Sequence, residues 1–312
     1  MRTRLCEAWN IRFPILLAPM GSVAGGQLAR AVSEAGGLGL IGPGYHGADW
    51  IERELALAGD ARVGVGFITW DLARQPEKLA AALQHRPFAV MLSFGDASPF
   101  VEPIRRAGAR IILQVQTLAA ARAAAKLEPD LIIAQGTEAG GHGGNQPLFP
   151  LLPAVVNAIR PVPVAAAGGI ADGDAVAAAL TLGAVGVLIG TRFFASNEAL
   201  GPLSAKQRLV AGSAEMTLRT RVFDIVRRLD WPEAFSGRAL RNDFVERWHG
   251  RETELEQQVA VEYERYRAAA VASDLSTSVV WAGAGIDQIH AVEPARAIFE
   301  RLVLEAESAL RS

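Results

Sequence analysis

The sequence predicts an α/β fold: a (β/α)8 barrel of the TIM type with a helical insertion after its eighth strand. Three observations carry that prediction. Eight short apolar runs recur between Ile15 and Ile189, helical patterns fill the intervals between them, and the alternation stops after the eighth run. Most of the runs are apolar throughout, as strands of a parallel sheet covered on both faces should be. Eight repeats suit a closed barrel better than a doubly wound open sheet, which needs fewer.

The runs are Ile15–Ala18, Leu38–Ile41, Val63–Phe67, Ala89–Leu92, Arg110–Val115, Leu131–Ala134, Val162–Ala166 and Val185–Ile189. Between them Gln27–Ala35, Asp49–Ala58, Pro76–Gln84, Pro99–Ala107 and Leu118–Leu127 place apolar residues at three- and four-residue spacing. Leu151–Ile159 and Asp172–Leu182 complete the set, and Gly36-Gly37, Gly108 and Gly183 close helices where a left-handed residue is favoured. The N-terminus is expected to enter the first strand directly.

From Ser196 to about Ser273 no strand pattern is visible. Helices are expected instead over Ala205–Val210, Phe223–Arg228 and Glu252–Ala270. A glycine-containing loop, Thr277–Gly285, and a closing helix, Pro294–Ala309, follow. The expected division is a barrel of residues 1–195 and 276–312 and an insertion of residues 196–275, lying over one barrel mouth as a structural flap or a lid.

Bulk properties narrow the function. Half of the 312 residues are hydrophobic and the net charge is −2, with no block of like charge to read as a nucleic-acid or membrane footprint. The single cysteine, Cys6, excludes an intramolecular disulfide and reads as a small hydrophobe. The longest apolar stretch, Ala175–Gly190, is too short and too interrupted to span a bilayer. A soluble, cytoplasmic protein acting on small molecules is expected.

Gly37-Leu38-Gly39-Leu40-Ile41-Gly42 matches G-x-G-x-x-G, but its glycines end a helix and enter a strand. A dinucleotide fingerprint follows a strand and opens a helix, so the match is structural. A phosphate site is better supported elsewhere. The seventh run ends in Gly168-Gly169, with Asp172 placed to cap the next helix, and the eighth ends in Gly190-Thr191. Glycines at strand ends let backbone N–H groups approach an anion, and barrels often seat a phosphate after strands seven and eight.

The loop after the sixth run carries five glycines around one imidazole, His142. At the catalytic end of a barrel it could accept a proton from carbon or donate to a developing anion. The other histidines, His46, His85, His249 and His290, have no metal-ligand spacing. Among them only His46, after strand two, would face the same mouth.

Together, Ala18-Pro19-Met20, the helix from Leu28 to Gly39, the segment Glu138–His142, Ala167-Gly168-Gly169-Ile170 and Gly190-Thr191-Arg192-Phe193 resemble the nitronate monooxygenase family, formerly 2-nitropropane dioxygenases. The resemblance implies FMN as cofactor. By position it places Ala18, Pro19 and Met20 against the isoalloxazine and Gln114 at the pyrimidine edge. Gln135, Ala139 and Gly140 would line the flavin, Gly168, Gly169, Gly190 and Thr191 would hold its phosphate, and His142 would be the catalytic histidine. Three positions depart from the family's pattern: Gly143 where many members have arginine, Gly64–Phe67 without the usual asparagine, and Ala284 where glutamine is frequent. All border the substrate side.

The implied activity is oxidation of alkyl nitronates or nitroalkanes with O2 to a carbonyl compound and nitrite. The same fold leaves open an NADH-dependent flavin reductase of the quinone reductase or enoyl-ACP reductase type, and a non-catalytic flavin carrier. The expected partners are a small-molecule substrate (a nitronate, or NAD(P)H plus an acceptor) and O2, with no nucleic acid and no membrane. A homodimer is compatible with this reading.

Overall fold

The computed structural model describes residues 1–311. The barrel is formed by β1 (Ile15–Leu17), β2 (Gly39–Ile41), β3 (Val63–Ile68), β4 (Ala89–Ser93), β5 (Arg110–Val115) and β6 (Leu131–Gln135). A short strand outside it, β7 (Gly141–Gly143), precedes the last two staves, β8 (Val164–Ala167) and β9 (Val187–Ile189). The sheet runs β1-β9-β8-β6-β5-β4-β3-β2, with all pairs parallel. It closes where Leu38 N–H donates to Ile15 O and Leu17 N–H to Leu38 O.

Alternation along each strand builds two apolar layers. Leu16, Leu40, Met91, Ile112, Ile133, Ala165 and Leu188 fill the barrel interior, while their neighbours Ile15, Leu17, Ile41, Val90, Leu113, Ile132, Ala166 and Ile189 pack under the helices. This two-sided burial is why the runs lack a polar face. Asp172 caps its helix as expected, accepting from Ala175 N–H at 2.8 Å.

Three expectations are corrected. The N-terminus does not enter β1 directly: a helix, Arg4–Trp9, precedes it and plugs the barrel's lower end with Leu5 and Trp9. Trp9 packs edge-on against Phe88 at 5.5 Å. Nor is the insertion free of strands. It contributes β10 (Thr217–Thr220) and β11 (Ser236–Leu240), which form an antiparallel sheet in the order β10-β11-β7. These strands are short, carry Arg219 and Arg238 in direct register, and find their third member in the His142 loop. A hydrophobic period cannot reveal such a sheet, because arginine hydrogen bonds hold it as much as apolar packing does.

The expected Glu252–Ala270 helix is two helices, Glu252–Gln257 and Val259–Val271, broken at Gln258. The break lets Leu255 and Tyr266 both reach an apolar cluster of the insertion with Val222, Phe223, Phe244 and Trp248. The closing helix, Ala295–Ala309, packs against the helix Gly173–Thr181 on the barrel's outside. No helix among the described residues is long and apolar enough to cross a membrane.

Candidate functional site

A cavity of about 230 Å³ opens at the C-terminal ends of the barrel strands, walled by strand-end loops and by the insertion. One end is made of backbone. Gly168 (φ +116°) and Gly169 (φ +71°) turn the chain after β8. A Cβ on Gly168 would lie 3.1 Å from the Ala139 nitrogen and the Gly136 oxygen, so both the turn and the close approach require glycine. The backbone N–H groups of Gly168, Gly169, Gly190 and Thr191 have no protein acceptor among the described residues. Thr191 Oγ1 accepts from Gly283 N–H at 2.9 Å, which leaves the hydroxyl proton free to donate. Unused N–H groups beside a hydroxyl form a seat for an anion.

Between this seat and the far wall lie Ala18, Pro19, Met20, Gln114, Ala139 and Gly140. Gly66 exists for Pro19: a Cβ there would meet the proline ring at 2.2 Å. The Gln114 amide lines the cavity with no hydrogen-bond partner among the described residues. Gln135 also lines it, but its amide is occupied. Its Nε2 donates to His142 O at 2.9 Å, and its Oε1 accepts from Gln116 at 2.9 Å.

The far end is made of side chains. His142 lies on β7 opposite Gly237 of β11. Its Nε2 is 2.9 Å from both carboxylate oxygens of Asp224, a residue of the insertion helix Val222–Val226 that is only 2% exposed. The Trp231 ring stacks on the imidazole at 3.5 Å with an interplanar angle of 3°, and Trp281 packs beside it at 5.1 Å. Burial holds the imidazole below its ordinary pKa; Asp224 opposes that shift, and the Arg227 and Arg219 guanidiniums reinforce it. Trp231 Nε1 donates to the Tyr45 hydroxyl at 2.7 Å. Burial pushes the Tyr45 pKa up to about 12, so the phenol stays a proton donor.

Two arginines brace the His142 loop from the insertion. Arg219 donates to the Thr137 hydroxyl at 2.9 Å, to the Gly143 carbonyl at 3.2 Å and to the Ser236 carbonyl, while Arg238 donates to the Thr137 carbonyl at 2.9 Å. Burial and its neighbour Arg238 lower the Arg219 pKa to about 10.

Comparison with known proteins decides the lineage. The nitronate monooxygenase family model matches residues 2–62 and 62–305. The chain belongs to the nitronate monooxygenase family. It is therefore an oxidoreductase, in a family that is generally flavin-dependent. A nitronate monooxygenase of Metarhizium robertsii is 37% identical over 75% of this chain and 74% of its own. Among solved structures, FabK from Thermotoga maritima superposes with a TM-score of 0.86 at 30% identity, covering 100% of this chain and 98% of that one. A nitroalkane oxidase from Streptomyces ansochromogenes gives a TM-score of 0.84 at 30% identity, covering 97% and 98%.

All twelve residues singled out in the sequence for cofactor or chemistry (Ala18, Pro19, Met20, Gln114, Gln135, Ala139, Gly140, His142, Gly168, Gly169, Gly190 and Thr191) line this one cavity of the nitronate monooxygenase fold. His46 does not: it hydrogen-bonds Ser22 at 3.0 Å and stacks on Trp50. Sequence reasoning missed Asp224, Arg227, Trp231, Tyr45 and Trp281. An isolated tryptophan in the polar stretch Asp230-Trp231-Pro232 was the one signal available. The departure at Gly143 has a structural counterpart, since a Cβ there would meet Arg219 Nη2 at 2.7 Å. A guanidinium from the insertion already fills the space beside this position.

Proposed function

We propose that this chain binds FMN in the cavity and oxidises alkyl nitronates, or nitroalkanes, with O2 to a carbonyl compound and nitrite. The observation that carries the reading is that one cavity joins an anion seat of unused N–H groups to a buried imidazole. Gly168, Gly169, Gly190 and Thr191 suit the cofactor phosphate, and the unpartnered Gln114 amide suits its hydrogen-bonding ring edge. Ala18-Pro19-Met20, Ala139 and Gly140 offer flat, small-residue walls. When bound, FMN supplies the redox chemistry.

The chain's own residues do the rest. The aromatic wall of Tyr45, Phe94, Trp231 and Trp281 excludes water, and the insertion serves as the cover that completes it. Arg227 lines the cavity 5.4 Å from the Tyr45 ring centroid, with no carboxylate partner and no side-chain hydrogen bond among the described residues. An uncompensated cation there favours a substrate that arrives as an anion, as a nitronate does. His142 is held neutral by burial, and so can take the α-proton of a neutral nitroalkane; once protonated, the ring can donate that proton's hydrogen bond to the nitronate oxygens.

The visible spectrum of the purified protein tests the cofactor, and oxygen uptake with propyl nitronate tests the reaction. The expected results are bound-flavin bands and uptake without added NADH. Bleaching of the bands by NADH, with no uptake on nitronate, would replace this reading with the reductase one.

A further inference from the structure

We propose that Asp224 is the positioning residue for His142: it fixes the imidazole with its proton on Nε2, leaving Nδ1 as the nitrogen that meets the substrate. The assignment of orientation stands on geometry alone; its chemical consequence rests on the function proposed above. Both Asp224 oxygens lie 2.9 Å from Nε2, and the carboxylate is buried. A carboxylate can only accept, so Nε2 must carry the hydrogen. A neutral imidazole has one N–H, so the lone pair resides on Nδ1. Nδ1 itself has no hydrogen-bond partner among the described residues, and His142 lines the cavity.

The rest of the shell cannot make this choice. Stacking on Trp231 fixes the ring plane but allows a half-turn that exchanges the two edges. Gln135 holds the His142 carbonyl, and pairing with Gly237 fixes the backbone; neither touches the ring nitrogens. Among the described residues, Asp224 is the one that hydrogen-bonds a ring nitrogen and so distinguishes one edge from the other. It comes from the insertion, 82 residues along the chain, so the barrel alone lacks part of the base.

In the step itself, the α C–H bond of a nitroalkane breaks and its proton goes to Nδ1. The electron pair forms the C=N bond of the nitronate, and the nitro group takes the negative charge. The resulting imidazolium stays hydrogen-bonded to the Asp224 carboxylate. No electrons leave the substrate in this step. A substrate supplied as a preformed nitronate skips it, and that difference provides the test.

Nitrogen-15 NMR of the purified protein at neutral pH should show His142 protonated on Nε2 and bare on Nδ1. A proton on Nδ1 with Nε2 bare would overturn the proposal, whatever the enzyme turns over. In kinetics, Asp224→Asn should cost about 10²-fold on nitroethane, within the range for general-base catalysis. That loss should exceed the loss on preformed ethyl nitronate at least tenfold, by about one factor of ten or more. Asp224→Glu should recover part of the difference. Equal losses on both substrates, at wild-type flavin content, would make Asp224 merely structural and sink the idea. Should the protein hold no flavin at all, the function proposed above fails, and the NMR result still decides this one.

Discussion

The two ends of the cavity are built on different principles. The anion seat is local and made of backbone: two strand ends, three glycines and one hydroxyl, each within a few residues of a barrel strand. The His142 end is made of side chains gathered across the chain, with Asp224, Arg219, Arg227 and Trp231 all drawn from the insertion. A seat of backbone N–H groups depends on conformation and tolerates little change in it. A network of side chains can lose one member and keep its shape, so its failures should be graded.

The largest effect is expected at the backbone end. Gly168→Val forces a branched residue to φ +116° and pushes its Cβ against the Ala139 nitrogen and Gly136 oxygen. Strain of about 3 kcal/mol corresponds to roughly 10²-fold weaker flavin retention. Equilibrium dialysis against apo-protein measures it; retention within a few-fold of wild type would show that the seat does not depend on this turn. Next comes Arg219→Leu, which leaves the Thr137, Gly143 and Ser236 acceptors without their donor. A cost of about 2 kcal/mol should lower Tm by roughly 3 °C in a chain of this length. An unchanged melting curve would mean that Arg238 alone holds the loop.

The same contrast explains what the sequence revealed. Barrel strands such as Ile132–Ala134 are apolar on both faces because both are buried, and that composition is visible in one dimension. Gly168-Gly169 and Gly190-Thr191 are legible for a similar reason: each acts within its own turn. Asp224 gives no such sign. It sits in a short helix whose apolar neighbours Val222, Phe223 and Val226 face the insertion core, and its partner lies on a strand that forms only by pairing with β11. Strand β11 itself, Ser236-Gly237-Arg238-Ala239-Leu240, contains a glycine because Trp281 lies where a Cβ would be, 2.2 Å away. Neither fact can be read without knowing which distant segment arrives.

A smaller effect should appear at Arg227. Because no carboxylate among the described residues pairs with it, its charge is free for the substrate, but the group is only half-buried and screened. Arg227→Gln should raise KM for propyl nitronate about fivefold, near 1 kcal/mol, with less change in kcat. A fall in kcat with KM unmoved would place the guanidinium on the reaction itself rather than on substrate capture.

The finest test uses pH. Burial lowers the His142 pKa, so the folded protein keeps a neutral imidazole where the unfolded chain, with an ordinary pKa of 6.5, has begun to take up a proton. Below pH 6.5 the unfolded state therefore binds more protons, and this group's contribution to stability falls as the pH drops toward the folded value. Activity that needs the neutral base should hold through pH 6.5, with the acid limb of kcat/KM on nitroethane centred below it. The Tyr45 phenol, pushed up to about 12, adds no alkaline limb below pH 10. Asp224 and Arg227 sit three residues apart and act on His142 with opposite sign. Asp224→Asn should move the acid limb further down, and Arg227→Gln should move it up toward 6.5. If both variants shifted the limb in the same direction, the imidazole would be responding to a general loosening of the insertion rather than to the two charges flanking it.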